Sequence, residues 1–144
     1  MVIRAFEVGD TESVVSLWEE CGLTRSWNDP RKDIARKLQV QPELFLVDEE
    51  PADDGGAGIV ATVMGGYDGH RGWLYYVAVL PARQGSGVGR RIVARAEELL
   101  IDMGCPKVNI QVRSGNGPAA AVWAAFGYSP DGATGLGKRL IPDE

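Results

Sequence analysis

The segment Gln84-Gly85-Ser86-Gly87-Val88-Gly89 places three glycines in five residues between an apolar run and a long amphipathic stretch. Glycines let backbone N–H groups approach a ligand with no Cβ in the way. A helix opening here also points its unpaired N–H groups and positive dipole end at that ligand. These features suit an anion, and the expected guest is a phosphate.

Two nucleotide-binding patterns fail on specific residues. The dinucleotide fingerprint would need a glycine at position 90, where Arg90 stands, and an acidic residue about 20 positions on, which Cys105 to Val112 lacks. A P-loop requires Gly-Lys-Ser/Thr, and the chain has Gly89-Arg90-Arg91.

The remaining pattern is Gln/Arg-x-x-Gly-x-Gly/Ala, met by Gln84, Gly87 and Gly89 directly after Val77-Ala78-Val79-Leu80-Pro81. It resembles the acetyl-CoA pyrophosphate loop of the GNAT superfamily of N-acetyltransferases, along nearly the whole chain. The likeness is greatest to the small bacterial YpeA-type acetyltransferases. The resemblance implies acetyl-CoA as cosubstrate, with Val77 and Val79 holding the pantetheine arm through their backbone. Gln84, Gly85, Ser86, Gly87, Val88, Gly89 and Arg90 would form the pyrophosphate cradle. Asn116 matches a GNAT asparagine that meets the cofactor arm, and Gly127-Tyr128 matches the Gly-aromatic pair that closes the following helix. No metal is implied. The same residues also fit an ordinary strand-turn-helix that binds nothing.

The proton-transfer residues depart from the family pattern. Many members carry a tyrosine seven residues after the asparagine to protonate the leaving thiolate. Here Trp123 occupies that place, and an indole N–H is far too weak an acid to replace a phenol, although it can donate a hydrogen bond to the cofactor. Trp73 stands where other members have a glutamate base. Replacement candidates are His70, Asp68, Tyr75 and Tyr76. His70 is the chain's one histidine and its side-chain type titrates near neutrality. Each also has a structural reading, as a turn residue or as sheet packing.

These residues need a frame. Val2 to Ala5 reads as a strand, then Asp10 caps a helix from Thr11 to about Cys21 that buries Val14, Leu17, Trp18 and Cys21 and stops at Gly22. Asp29-Pro30 opens a second helix to about Leu38, with Ile34, Ala35 and Leu38 inward and Asp33 paired to Lys37. By family analogy the segment between these helices walls the acceptor site, which makes Trp27, Asn28 and Asp29 contact candidates. Trp27 reads equally as a hydrophobic staple and Asp29 as a cap.

Leu44 to Asp48 and Ile59 to Met64 are strands, with a polar turn carrying Asp53 and Asp54 between them and a bend or close approach at Gly65-Gly66. Tyr67 to Gly72 reads as a hairpin, which by the same family analogy also walls the acceptor site and makes Tyr67 a contact candidate, and Trp73 to Leu80 is the next strand. The long helix buries Val88, Ile92, Ala96, Leu99 and Met103, widened by Val93 and Leu100, leaves Arg90, Arg91 and Arg95 to solvent, and closes at Gly104. Lys107 to Val112 is a strand, Pro118 to Phe126 a helix, and one or two closing strands fit around Leu136 to Ile141. The expected fold is α/β of the α+β type: a central, mostly antiparallel mixed sheet of six to seven strands flanked by about four helices, in a single domain over residues 1–144.

Composition agrees with a globular domain: 144 residues, 44% hydrophobic and 24% charged. A net charge of −5 argues against a duplex nucleic-acid binder and is compatible with a cationic amine acceptor. Cys21 and Cys105 form neither a metal pair nor a disulfide framework, so cytoplasm is the expected compartment. No apolar run nears the roughly 18 residues that span a bilayer, so no membrane partner is expected. Pairing of exposed C-terminal strands offers a route to a homodimer. The leading expectation is acetyl transfer to a primary amine of a small molecule, a protein N-terminus or a lysine. The alternatives are a CoA-binding module with little turnover and an interaction domain whose loop is empty.

Overall fold

A computed structural model describes residues 2–52 and 57–144. They form two compact units, Met1–Asn109 with Asp143–Glu144, and Ile110–Pro142.

The first unit holds a five-stranded sheet in sequential order: β1 (Val2–Ala5), β2 (Phe45–Pro51), β3 (Ala57–Tyr67), β4 (Gly72–Val79) and β5 (Val108–Asn109). Neighbours are antiparallel except β4 and β5, which run parallel. Three helices belong to this unit: α1 (Thr11–Glu20), α2 (Pro30–Lys37) and α3 (Val88–Asp102). The core on one sheet face joins Val14, Leu17 and Trp18 of α1 and Ile34 of α2 to Phe45, Val47, Met64 and Ala78 of the strands. Side-chain alternation sends Leu46, Val63 and Leu74 to the other face, where α3 buries Val88, Ile92, Val93, Ala96 and Leu100. Each such side chain contributes on the order of 1.5–3 kcal/mol by leaving water.

The mixed, mostly antiparallel sheet and the four helices match the sequence reading, but the sheet has five strands, fewer than the six or seven expected. The strand read over Lys107 to Val112 contracts to Val108–Asn109. Around Leu136 to Ile141 no strand forms among the described residues, and Leu136, Leu140 and Ile141 are exposed. Glycines at 132, 135 and 137 weaken strand formation there. The strands offered as a dimer contact are therefore missing. In contrast, β2 and β3 overrun their expected ends. β3 continues through Gly65-Gly66, where a Cβ on Gly65 would approach the Leu44 carbonyl oxygen to 3.3 Å. Asp53 and Asp54 lie outside the described residues.

Several side chains take other partners than expected. Asp10 precedes α1 but does not cap it; its carboxylate accepts from Arg4 and from the Glu7 N–H. On α2, Ala35 is exposed and Lys37 is buried, and Asp33 pairs with Arg36 rather than Lys37. On α3, Met103 is exposed and Arg91 turns inward. The second unit carries α4 (Gly117–Ala125). Among the described residues no helix is long and apolar enough to cross a membrane.

Gly72 shows how tightly α3 presses on β4. A Cβ there would stand 2.8 Å from Cys105 Sγ and 3.3 Å from Leu100 Cδ1. Gly72→Ala is expected to lower stability by about 1–3 kcal/mol, and Cys105→Ala in the same chain should recover part of that loss in a denaturant titration.

Candidate active site

The β3–β4 register slips by one residue between Thr62–Ala78 and Met64–Tyr75, so Tyr76 and Val77 together oppose Val63. This is a β-bulge, and Tyr76 adopts the left-handed conformation with φ +50°. Tyr75 pairs with Met64 and Ala78 with Thr62, on the α1 side of the sheet. The Tyr76 ring stacks on Trp18 of α1 at 3.8 Å. The bulge thus puts consecutive tyrosines on one face, which regular alternation would forbid.

Four residues, Trp18, Asn28, Asp33 and Thr62, fix Tyr76. Its hydroxyl donates to Asp33 Oδ2 at 2.6 Å and accepts from Asn28 Nδ2 at 3.2 Å, while Asn28 Nδ2 also donates to Asp33 Oδ2 at 2.7 Å. Its carbonyl accepts from Thr62 Oγ1 at 2.8 Å, and that oxygen accepts from Trp18 Nε1 at 2.9 Å. Burial first, and the neighbouring Asp33 carboxylate second, push the Tyr76 phenol well above its ordinary value. Tyr76 therefore keeps its proton at neutral pH.

Past the bulge, the Leu80 N–H donates to Val60 O, so pleat alternation turns the Val79 N–H and carbonyl to the opposite edge. Consistent with this, Val79 O accepts from Gln84 Nε2 and Cys21 Sγ. The β5 pairing of β4 covers Gly72 and Trp73 alone. Beyond Trp73 the outer edge of β4, with Val77 and Val79, has no strand partner among the described residues.

That edge leads into the glycine loop. Gly85 and Gly87 sit at φ +81° and +91°, and a Cβ on either would meet nothing within 4 Å. Gly87 is the N-cap residue of α3 and supplies no capping side chain, so the first-turn N–H groups of Val88 and Gly89 lack intrahelical acceptors. Ser86 Oγ donates to Arg83 O, and Arg90 is exposed. Ion pairs brace both ends of the loop against β2: Arg83 to Glu50 at 2.7 Å and Arg91 to Asp48 at 2.7 Å. Asp48 is fully buried, and its Oδ1 has no hydrogen-bond partner among the described residues. The open space above the glycines and the outward N–H groups fit a pyrophosphate.

The remaining candidates separate. Tyr75 is 47% exposed beside the bulge, stacked on Trp73 at 6.3 Å. Burial and the Asp68 charge raise its pKa, so it stays protonated at neutral pH. Asp68 is held below the usual carboxylate range by the Arg71 and His70 N–H groups, which it binds as a turn acceptor. His70 is exposed in that turn, seven residues from Val77 and hence roughly 20 Å along the strand. Tyr67 reaches Gly69 O and Gly104 O at the end of α3, away from Asn28. Trp27 is half exposed, and Asp29 caps α2 through the Arg31 N–H. In the second unit, Asn116 Oδ1 caps α4 by accepting from the Ala119 N–H, and Trp123 packs edge-on against Phe126 and Tyr128. Sequence reasoning missed the bulge and the loop braces; the arginines flanking the glycines were the one visible sign of the braces.

The pattern of the Acetyltransferase (GNAT) family matches residues 11–128. An acetyltransferase of Yersinia enterocolitica is 49% identical, over 100% of this chain and 99% of its own. Among solved structures, the aminoglycoside antibiotic 6'-N-acetyltransferase of Acinetobacter haemolyticus superposes with a TM-score of 0.72 at 17% identity, covering 98% of this chain and 99% of that one. An aminoglycoside N-acetyltransferase in complex with CoA gives 0.71 at 15% identity, covering 97% and 100%. The chain belongs to the GNAT acetyltransferase family.

The Tyr76 phenol titrates higher in the folded chain than its reference value of 10.0. Its stabilising share is thus complete below about pH 10 and is lost as pH rises through the folded value. Wild type should lose stability above pH 10 more steeply than Tyr76→Phe, which itself should cost about 1–3 kcal/mol at neutral pH; chemical denaturation across alkaline pH checks both.

Proposed function

We propose that this chain transfers an acetyl group from acetyl-CoA to a primary amine within a ternary complex, residues 1–144 acting as one acetyltransferase domain of the YpeA-type branch. The observation that carries this reading is the continuity of a β4 edge at Val77 and Val79, without a strand partner among the described residues, with a glycine loop at the uncapped N-terminus of α3. The edge supplies backbone partners for the pantetheine amides, and Gln84 to Arg90 cradle the pyrophosphate. The family resemblance alone makes Asn116 and Trp123 cofactor contacts in this reading.

The neutral amine attacks the thioester carbonyl carbon, the C–S bond breaks, and the nitrogen's proton leaves to water. Alignment of the two reactants supplies several kcal/mol, and the oxyanion is met by N–H groups at the bulged edge. Tyr75, kept protonated beside that edge, donates its proton to the leaving thiolate and is the catalytic residue favoured by this arrangement over His70 and Asp68. Trp27, Asn28 and Asp29 wall the acceptor side. Tyr67 is the weaker contact, because its hydroxyl lies toward Gly104. The alternative, a CoA-binding module with little turnover, draws on Trp123 and Trp73 at the family's acid and base positions.

Calorimetric titration of CoA and acetyl-CoA should give micromolar binding to wild type. Gly87→Trp should abolish it, and Gly87→Ala should weaken it, at a cost in stability of about 1–2 kcal/mol from the left-handed backbone. Amine-dependent release of free thiol, cut at least tenfold in Tyr75→Phe, would support transfer; binding with no thiol release from any amine would favour the binding module.

A further inference from the structure

Lys37 is the one lysine of the core. It is 9% exposed, and its Nζ has neither a hydrogen bond nor an ion pair among the described residues. Its stem is buried while the ammonium keeps contact with solvent, so an unpartnered positive charge stands where an anion arriving from outside can pair with it. Glu43 acts on it electrostatically without pairing with it.

The direction of Lys37 is defined by β3. A Cβ on Gly66 would lie 4.0 Å from Lys37 Nζ and 3.8 Å from Gln41 Oε1. Gly66 pairs with Trp73, and paired residues of antiparallel strands project to the same face. Lys37 Nζ therefore stands over the face that carries Trp73 and the half-exposed Tyr75, one turn of α2 beyond Asp33. The glycine beneath it leaves room for a small group. Gln41 is not its partner, since Gln41 Oε1 accepts from the Tyr67 N–H and Gln41 Nε2 donates to the Tyr67 carbonyl.

Resting on the acetyl-transfer reading above, we propose that Lys37 is the anion subsite of the acceptor groove: the acceptor amine carries, at its far end, a carboxylate or phosphate monoester that pairs with Lys37 Nζ over Gly66 and Trp73. Trp73 lies four residues from Val77, and a strand rising about 3.3 Å per residue, shortened by the bulge, sets the amine and the anion roughly 10 Å apart. The Trp73–Tyr75 shelf between them suits an apolar or extended linker. The lowered pKa of Lys37, caused by burial, fits a charge that is completed by its ligand.

The test uses ω-amino carboxylates from 4-aminobutanoate to 10-aminodecanoate, their neutral primary amides, and the matching ω-aminoalkyl phosphates. Binding is measured by calorimetry on the protein saturated with CoA, and transfer by thiol release with acetyl-CoA. Wild type should prefer the best anionic acceptor over its amide by tenfold or more in both measurements, with an optimum near the 10 Å span; the carboxylate and phosphate arms identify which anion it takes. Lys37→Met should erase the preference while leaving the amide's constants within twofold, and Lys37→Arg should restore part of it. Equal use of acids and amides by wild type, with transfer proceeding, overturns the anion subsite and leaves acetyl transfer standing. Lys37-dependent binding of the anions with no thiol release sustains the subsite and overturns transfer. Loss of the amide's constants as well in Lys37→Met, in a chain that melts no lower than wild type, also overturns the subsite.

Discussion

A bulky residue with positive φ in the middle of a sheet is held there by its neighbours or it relaxes. Tyr76 is held by α1 through ring stacking, by the connector and α2 through Asn28 and Asp33, and by β3 through Thr62. Elements that are distant in sequence therefore meet on one dihedral angle. The bulge they stabilise shifts Val77 and Val79 to an edge free of strand pairing and brings Tyr75 to the α1 face. Both halves of the candidate site, the cofactor edge and the acceptor wall, follow from that slip of one residue.

The hydrogen-bond network around Tyr76 is also closed to proton traffic. Each polar atom has a defined partner: Asp33 Oδ1 takes Arg36, Oδ2 takes the phenol and the Asn28 amide, and Arg36 continues to Asp143. A network so fully satisfied rigidifies. The more exposed Tyr75 lies outside this network, stacked on Trp73.

The long helix and its glycine loop were legible because both signals are local: period 3.6 over four turns, and glycines at the positions that need φ > 0. Helix ends at Gly22, Gly104 and Gly127 were readable for the same reason. The bulge was not, because it is a mismatch between two strands and neither strand alone carries a mark of it. Lys37 was unreadable for a related reason: on a short helix with few apolar residues, the inward face is set by what α2 packs against, and the stripe Ile34, Ala35 and Leu38 pointed about one residue away from the buried Ile34–Lys37 pair. The C-terminal strands failed because glycines at 132, 135 and 137 weaken strand formation around an apolar run that taken alone looks like one.

The two arginines flanking the glycine loop already carry their own counter-ions, Glu50 and Asp48, drawn from the same strand. The loop's claim on a pyrophosphate thus rests on the direction of its N–H groups more than on net positive charge. Oriented dipoles at contact distance are screened far less by salt than separated surface charges. A polyanion held in this way would depend little on ionic strength, and a chain of net charge −5 would need no basic patch around it.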